Sequence, residues 1–164
     1  MGNYNFRKDL STAKNTEQEV ARLLLDKYGA IVKEYRTDSK YDLLASINGV
    51  DYTFEIKEDF LSGKTGNFAI EFSCRGKPSG ISTTEADFYI YKLHRKEGIV
   101  YTIHSTHSIK NMINQKKYFR IATGGDKGSN TKIYLFKYDD FVNKNNVLYS
   151  QKSSGKENRK NGIK

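Results

Sequence analysis

Tryptophan is absent from these 164 residues, and proline and cysteine occur once each. A lone cysteine, Cys74, excludes an intrachain disulfide and a cysteine-built zinc site. No apolar run approaches the roughly 18 residues that a membrane-spanning helix requires, and the opening residues lack the pattern of a secretory signal. The chain is therefore expected to be soluble and cytoplasmic. Internal repeats are also missing, and nothing in the composition marks a second domain, so the length suits one domain with a sizeable core.

Hydrophobic residues make up only 37% of the chain, but 12 tyrosines and 9 phenylalanines supply large apolar areas to bury. Lysine and arginine outnumber aspartate and glutamate by 28 to 19, a net charge of +9. From Gln151 onward five basic residues face only Glu157, which places +4 in the tail and +5 in the preceding 150 residues. A polyanionic partner fits this balance; a basic tail on an ordinary domain fits it too.

The first ten residues read as a polar arm. Thr16-Glu17-Gln18-Glu19 has the capping-box pattern, and Val20, Leu23, Leu24 and Tyr28 recur at helical spacing before Gly29. Ile31 to Tyr35 reads as a strand. Ser62 to Asn67 reads as a loop, Phe68 to Cys74 as an alternating strand, and Arg75 to Gly80 as a basic turn. Phe88 to Leu93 and Ile99 to His104 predict a strand pair, and Thr106 to about Gln115 predicts a helix. Tyr118 to Ala122 and Lys132 to Lys137 predict two strands around a glycine-rich loop, and Tyr138 to Val142 a helical turn. The composition from Gln151 predicts a disordered basic tail over 151–164, after a domain over 1–150.

The stretch KYDLLASINGVDYTFEIKE, Lys40 to Glu58, carries the sharpest signal. Asn48-Gly49 between two alternating runs predicts a two-residue type I′ hairpin, since both turn positions need positive φ. That turn sets Ile47 against Val50, and by the same register Asp42 against Glu55. Leu43, Ala45, Ile47, Tyr52, Phe54 and Ile56 then share a core face. Asp42, Glu55 and Lys57 share the other face at one end of the hairpin. Two carboxylates so placed repel, and a bound cation would relieve the repulsion. A surface salt bridge between Asp42 and Lys57 is the plain alternative.

This helix, strand and Asp-containing strand, followed by a strand with Glu55-Ile56-Lys57, resembles the core of the PD-(D/E)xK nuclease superfamily over roughly Thr16 to Tyr91. Tyr41 stands where the namesake proline often sits. The resemblance implies an α/β fold with a mixed central sheet flanked by helices, of the restriction-endonuclease-like type. It implies a metal-dependent DNA endonuclease, on branched or recombination-intermediate DNA, acting as a homodimer. Asp42, Glu55 and the Ile56 carbonyl would hold Mg²⁺, with Mn²⁺ a substitute, and Lys57 would orient water or stabilise charge on phosphate. A nucleic-acid-binding or protein-interaction module on the same fold, without catalysis, is the alternative.

Glu19, on the first helix, matches the place of a glutamate that reaches the metal in many members; capping of its own helix is the competing reading, and Glu17 is the fallback. Glu71, on the strand after the motif, either joins the same face or makes a structural polar pair. Lys64, Arg75, Lys77 and Lys127 would touch DNA phosphates, or else sit on solvated loops. The histidines His94, His104 and His107 lack a metal-ligating context and are expected at the surface.

Overall fold

The computed structural model describes residues 2–36, 38 and 40–152. Their elements are α1 (Gly2–Tyr28), β1 (Ile31–Tyr35), β2 (Leu43–Ile47), β3 (Val50–Asp59), α2 (Ser62–Thr65), β4 (Asn67–Cys74) and β5 (Lys77–Pro78). Then follow β6 (Phe88–Arg95), β7 (Gly98–Ser105), α3 (Thr106–Asn114), β8 (Arg120–Gly124), β9 (Thr131–Lys137), α4 (Tyr138–Phe141) and β10 (Val147–Lys152). A six-stranded sheet has the order β1-β2-β3-β6-β7-β10, and a four-stranded sheet the order β5-β4-β9-β8. The fold is mixed α/β, as expected.

Asn48 (φ 52°) and Gly49 (φ 81°) are both left-handed, so the turn that the sequence demands is formed. The register follows: Ile47 faces Val50, Ala45 faces Tyr52 and Leu43 faces Phe54. Leu43, Ala45 and Phe54 are buried, with Ile47, Tyr52 and Ile56 packed against them. Val20 and Leu24 of α1 join this cluster, so α1 covers that face of the sheet. Gly29, at φ 69°, ends the helix, its N–H bonding the Leu25 carbonyl at 2.9 Å.

Three expectations are corrected. The helix begins at Gly2 rather than Thr16, so there is no polar arm, and Thr16 is a buried mid-helix residue instead of a cap. β10 extends to Lys152 along the edge of β7, so regular structure runs past Gln151; the remainder of the expected tail lies outside the described residues. The largest difference concerns the covering layers. Only one face of the central sheet takes the long helix; the other meets the second sheet.

β6 returns beside β3 in parallel, with Glu55 paired to Tyr89, Lys57 to Tyr91 and Asp59 to Leu93. Side chains alternate along a strand. Ile90 therefore joins the α1 core, while Tyr89, Tyr91 and Leu93 join Phe68, Ile70 and Phe136 of the second sheet and Ile109 of α3. β6 is buried on both faces, as parallel strands commonly are. Glu55 and Lys57 consequently face the second sheet.

Candidate active site

Asp42 stands just before β2, at an irregularity in the ladder. Its N–H donates to the Phe54 carbonyl at 2.9 Å, although Phe54 is already the partner of Leu43. Two residues thus meet one, a bulge-like step of the kind common beside active sites. The carboxylate is re-aimed: Oδ2 accepts the Ile56 N–H at 2.7 Å. Asp42 is therefore not squarely opposite Glu55, as the simple pairing predicts, but reaches one residue further along β3.

Glu55 and Lys57 follow on the same face, with Lys57 Nζ 3.2 Å from Glu55 Oε1. Burial pushes both carboxyl groups up. In Asp42 the Ile56 hydrogen bond and the Lys57 charge work against that rise. In Glu55 the Lys57 charge opposes it, while the negative charge of Asp42 adds to it. Two desolvated acids beside one lysine make a group short of positive charge.

The protein offers a hard cation two carboxylates and one carbonyl. N–H and C=O of one strand residue point to the same edge, so the Ile56 carbonyl faces the edge where Asp42 sits. Among the described residues, no three His, Cys, Asp or Glu side chains gather closely enough to hold a metal by themselves. Mg²⁺ does not need them to, since it keeps several waters and takes one or two carboxylates. The donor set fits that ion.

Lys57 also lines a cleft of about 360 Å³ between the two sheets, with Tyr89 and Tyr91 on its own side and Ala69, Glu71 and Ile133 opposite. Glu71 thus faces the site from β4, and its Oε2 accepts the Ser79 hydroxyl at 2.9 Å.

Glu19 is not brought to this group. It bonds Lys92 Nζ at 3.1 Å and the Tyr101 hydroxyl. Lys92 pairs with Glu58 in the β3–β6 register, on the alternate face from Glu55 and Lys57. The reason is topological: α1 packs on the side of the sheet away from the cleft. Glu58 completes this second network, accepting from the Thr16 hydroxyl at 2.9 Å and meeting His94 Nε2 at 2.7 Å.

Arg75, Lys77 and Lys127 are exposed and lie together, because the Arg75 N–H bonds the Ser129 carbonyl at 2.6 Å and ties the β4–β5 turn to the β8–β9 loop. Lys64, in α2, precedes β4 and lies beyond its opposite end. His104 is buried, contrary to expectation, against Phe68 and Phe141. Burial lowers its pKa to about 4, so it is a neutral core residue. Asp87 binds the Thr53 N–H at 2.9 Å and is structural.

Sequence reasoning missed Tyr89, Ser79 and Gly80. Tyr89 sits in an alternating apolar strand and looks like any core aromatic. Ser79 and Gly80 belong to a stretch unusually dense in small and polar residues, which was the available signal. No protein-family model matches this chain, and no curated protein matches it.

Proposed function

We propose that the chain is a metal-dependent DNA endonuclease hydrolysing phosphodiester bonds. The observation that supports this best is the placement of Glu55 and Lys57 on one face with Asp42 beside them, both acids desolvated and undercompensated. Burying two repelling carboxylates is unfavourable unless something is gained, and a divalent cation supplies the missing charge. Asp42, Glu55 and the Ile56 carbonyl would hold Mg²⁺, with Mn²⁺ as a substitute. When bound, the ion polarises the scissile phosphate and acidifies water. Lys57 lies within reach of the same space and offsets charge gathering on phosphate oxygens. The positive surface supplies DNA affinity: Arg75, Lys77 and Lys127 form one group of phosphate contacts, and Lys64 contributes a separate one.

The resemblance of the hairpin favours branched or recombination-intermediate DNA as substrate, and a homodimer, since two strands must be cut. No described helix is long and apolar enough to cross a membrane.

Incubating the chain with plasmid, linear, single-stranded and four-way-junction DNA tests the proposal. Cutting is expected with Mg²⁺ or Mn²⁺, and its loss with EDTA or in Glu55→Ala. Binding without cutting under every metal condition would replace the enzyme with a non-catalytic binding module.

A further inference from the structure

Phe60 and Leu61 follow directly on β3 and line the same cleft as Lys57. Both are apolar, and both stand in solvent, at 62% and 61% exposure. One face of the Phe60 ring stacks on His94, with centroids 4.5 Å apart and planes 18° from parallel. His94 is itself held, its Nε2 lying 2.7 Å from Glu58 Oε2. Phe60 comes three residues after Lys57, roughly 10 Å along an extended chain.

The segment that carries these two side chains is tied down. Asp59 Oδ1 accepts the Leu61 N–H at 2.8 Å and the Ser62 N–H at 3.1 Å. Arg95 Nη1 donates to the Ser62 carbonyl at 2.9 Å and to the Ser62 hydroxyl oxygen at 3.1 Å, and Ser62 is fully buried. Gly63 packs so closely on the β6–β7 turn that a Cβ there would stand 2.7 Å from backbone atoms of His94, Arg95 and Lys96. An aromatic ring is thus presented to solvent on a fixed mount, the preorganised arrangement that lowers the cost of binding.

The same end of the central sheet gathers positive charge. Lys64 and Lys96 are exposed there, against Glu97. Glu58 and Asp59 are taken up by His94 and by backbone N–H groups. Lys152 pairs with Gly98, so the sequence that follows, with Lys156, Arg159, Lys160 and Lys164 against Glu157 alone, departs from this end. An exposed ring among cations suits a strand with unpaired bases, whose phosphates meet the cations while a base meets the ring. An apolar protein partner would use the ring but not the cations, and paired duplex DNA would use the cations but not the ring.

We propose that Phe60 is the stacking site for an unpaired base of DNA, on a strand that runs from the cleft past Lys57 to Lys64 and Lys96. This rests on the DNA-binding half of the function proposed above and not on its catalysis.

Fluorescence anisotropy in EDTA, which withholds the cation that cutting needs, tests it with three probes. These are a single strand, the same strand with abasic sites in place of its bases, and a blunt duplex. Wild type is expected to bind the single strand about 5- to 150-fold more tightly than the abasic strand, the worth of one stacked base. Phe60→Ala should lose that difference, and Phe60→Tyr, which keeps the ring, should retain it. Duplex affinity should be the same in all three proteins, which also shows that the variants are folded. No preference for the single strand in wild type, or an unchanged preference in Phe60→Ala, overturns the proposal and leaves the nuclease reading to stand on Asp42 and Glu55. An equal fall on all three probes in Phe60→Ala overturns it too, since the ring then supports the fold and reads no base. So does a Phe60→Ala chain whose only change is the loss of a dimer in sedimentation, which makes the ring a contact between copies. A Phe60-dependent preference in a chain that cuts no DNA in Mg²⁺ or Mn²⁺ keeps this proposal and removes the catalysis. A wild type that binds none of the probes overturns both.

Discussion

Glu55 is a carboxylate held where folding alone disfavours its charge. Its pKa is raised in the folded state by burial and by Asp42. Between its unfolded and folded values the native chain binds more protons than the unfolded chain. Stability therefore falls as pH rises through that window, and the penalty is fully present above it. Glu55→Gln, measured without metal above that window, should melt higher than wild type in thermal denaturation. Below the unfolded value the difference should vanish. At this scale the sequence was legible where one turn fixed the geometry: Asn48-Gly49 set the register from Ile47–Val50 to Leu43–Phe54, but not the step at Asp42 that carries its carboxylate to the Ile56 N–H. It was not legible where placement depended on which face a distant element covers, so Glu19 was read toward the cleft while it bonds Lys92 on the other side.

At the scale of elements, the β4–β5–Gly80 segment leaves no room for a side chain at Gly80. Gly80→Ala would drive a methyl group into the Glu71 carbonyl and hold a strained φ. A cost of about 1–3 kcal/mol is expected, seen in thermal denaturation as a fall of about 2–12 °C. Periodicity found most strands here because alternation is a local property. It did not find the start of α1, whose first residues lack a clear apolar stripe, nor β10, whose pairing with β7 is set by an edge strand formed almost fifty residues earlier. Thr16 looked like a cap because its neighbours satisfy a short pattern, yet its hydroxyl serves Glu58 on β3.

For the whole molecule, two sheets and one long helix create two unlike sides of the central strands. One side carries the Glu19, Lys92 and Glu58 network under α1; the other carries the cleft. The division into two sheets could not be read from the chain, since nothing local in β4 or β9 says which sheet it joins. The same layout brings Arg75, Lys77 and Lys127 to one end of the second sheet. Replacing all three with alanine should weaken DNA binding without regard to sequence. The slope of log affinity against log salt should shrink by about 0.9 for each duplex phosphate that is no longer neutralised, read by fluorescence anisotropy across a salt series. An unchanged slope would place the DNA path elsewhere.

The claim beneath all of this is that Asp42 and Glu55 hold one divalent cation. Direct Mn²⁺ titration of the purified chain, followed by calorimetry or electron paramagnetic resonance, tests it without knowledge of the preferred DNA. The expected result is a saturable site in wild type that is lost in both Asp42→Asn and Glu55→Gln. Equal Mn²⁺ binding by wild type and the two variants, or no binding by any of them, would contradict it.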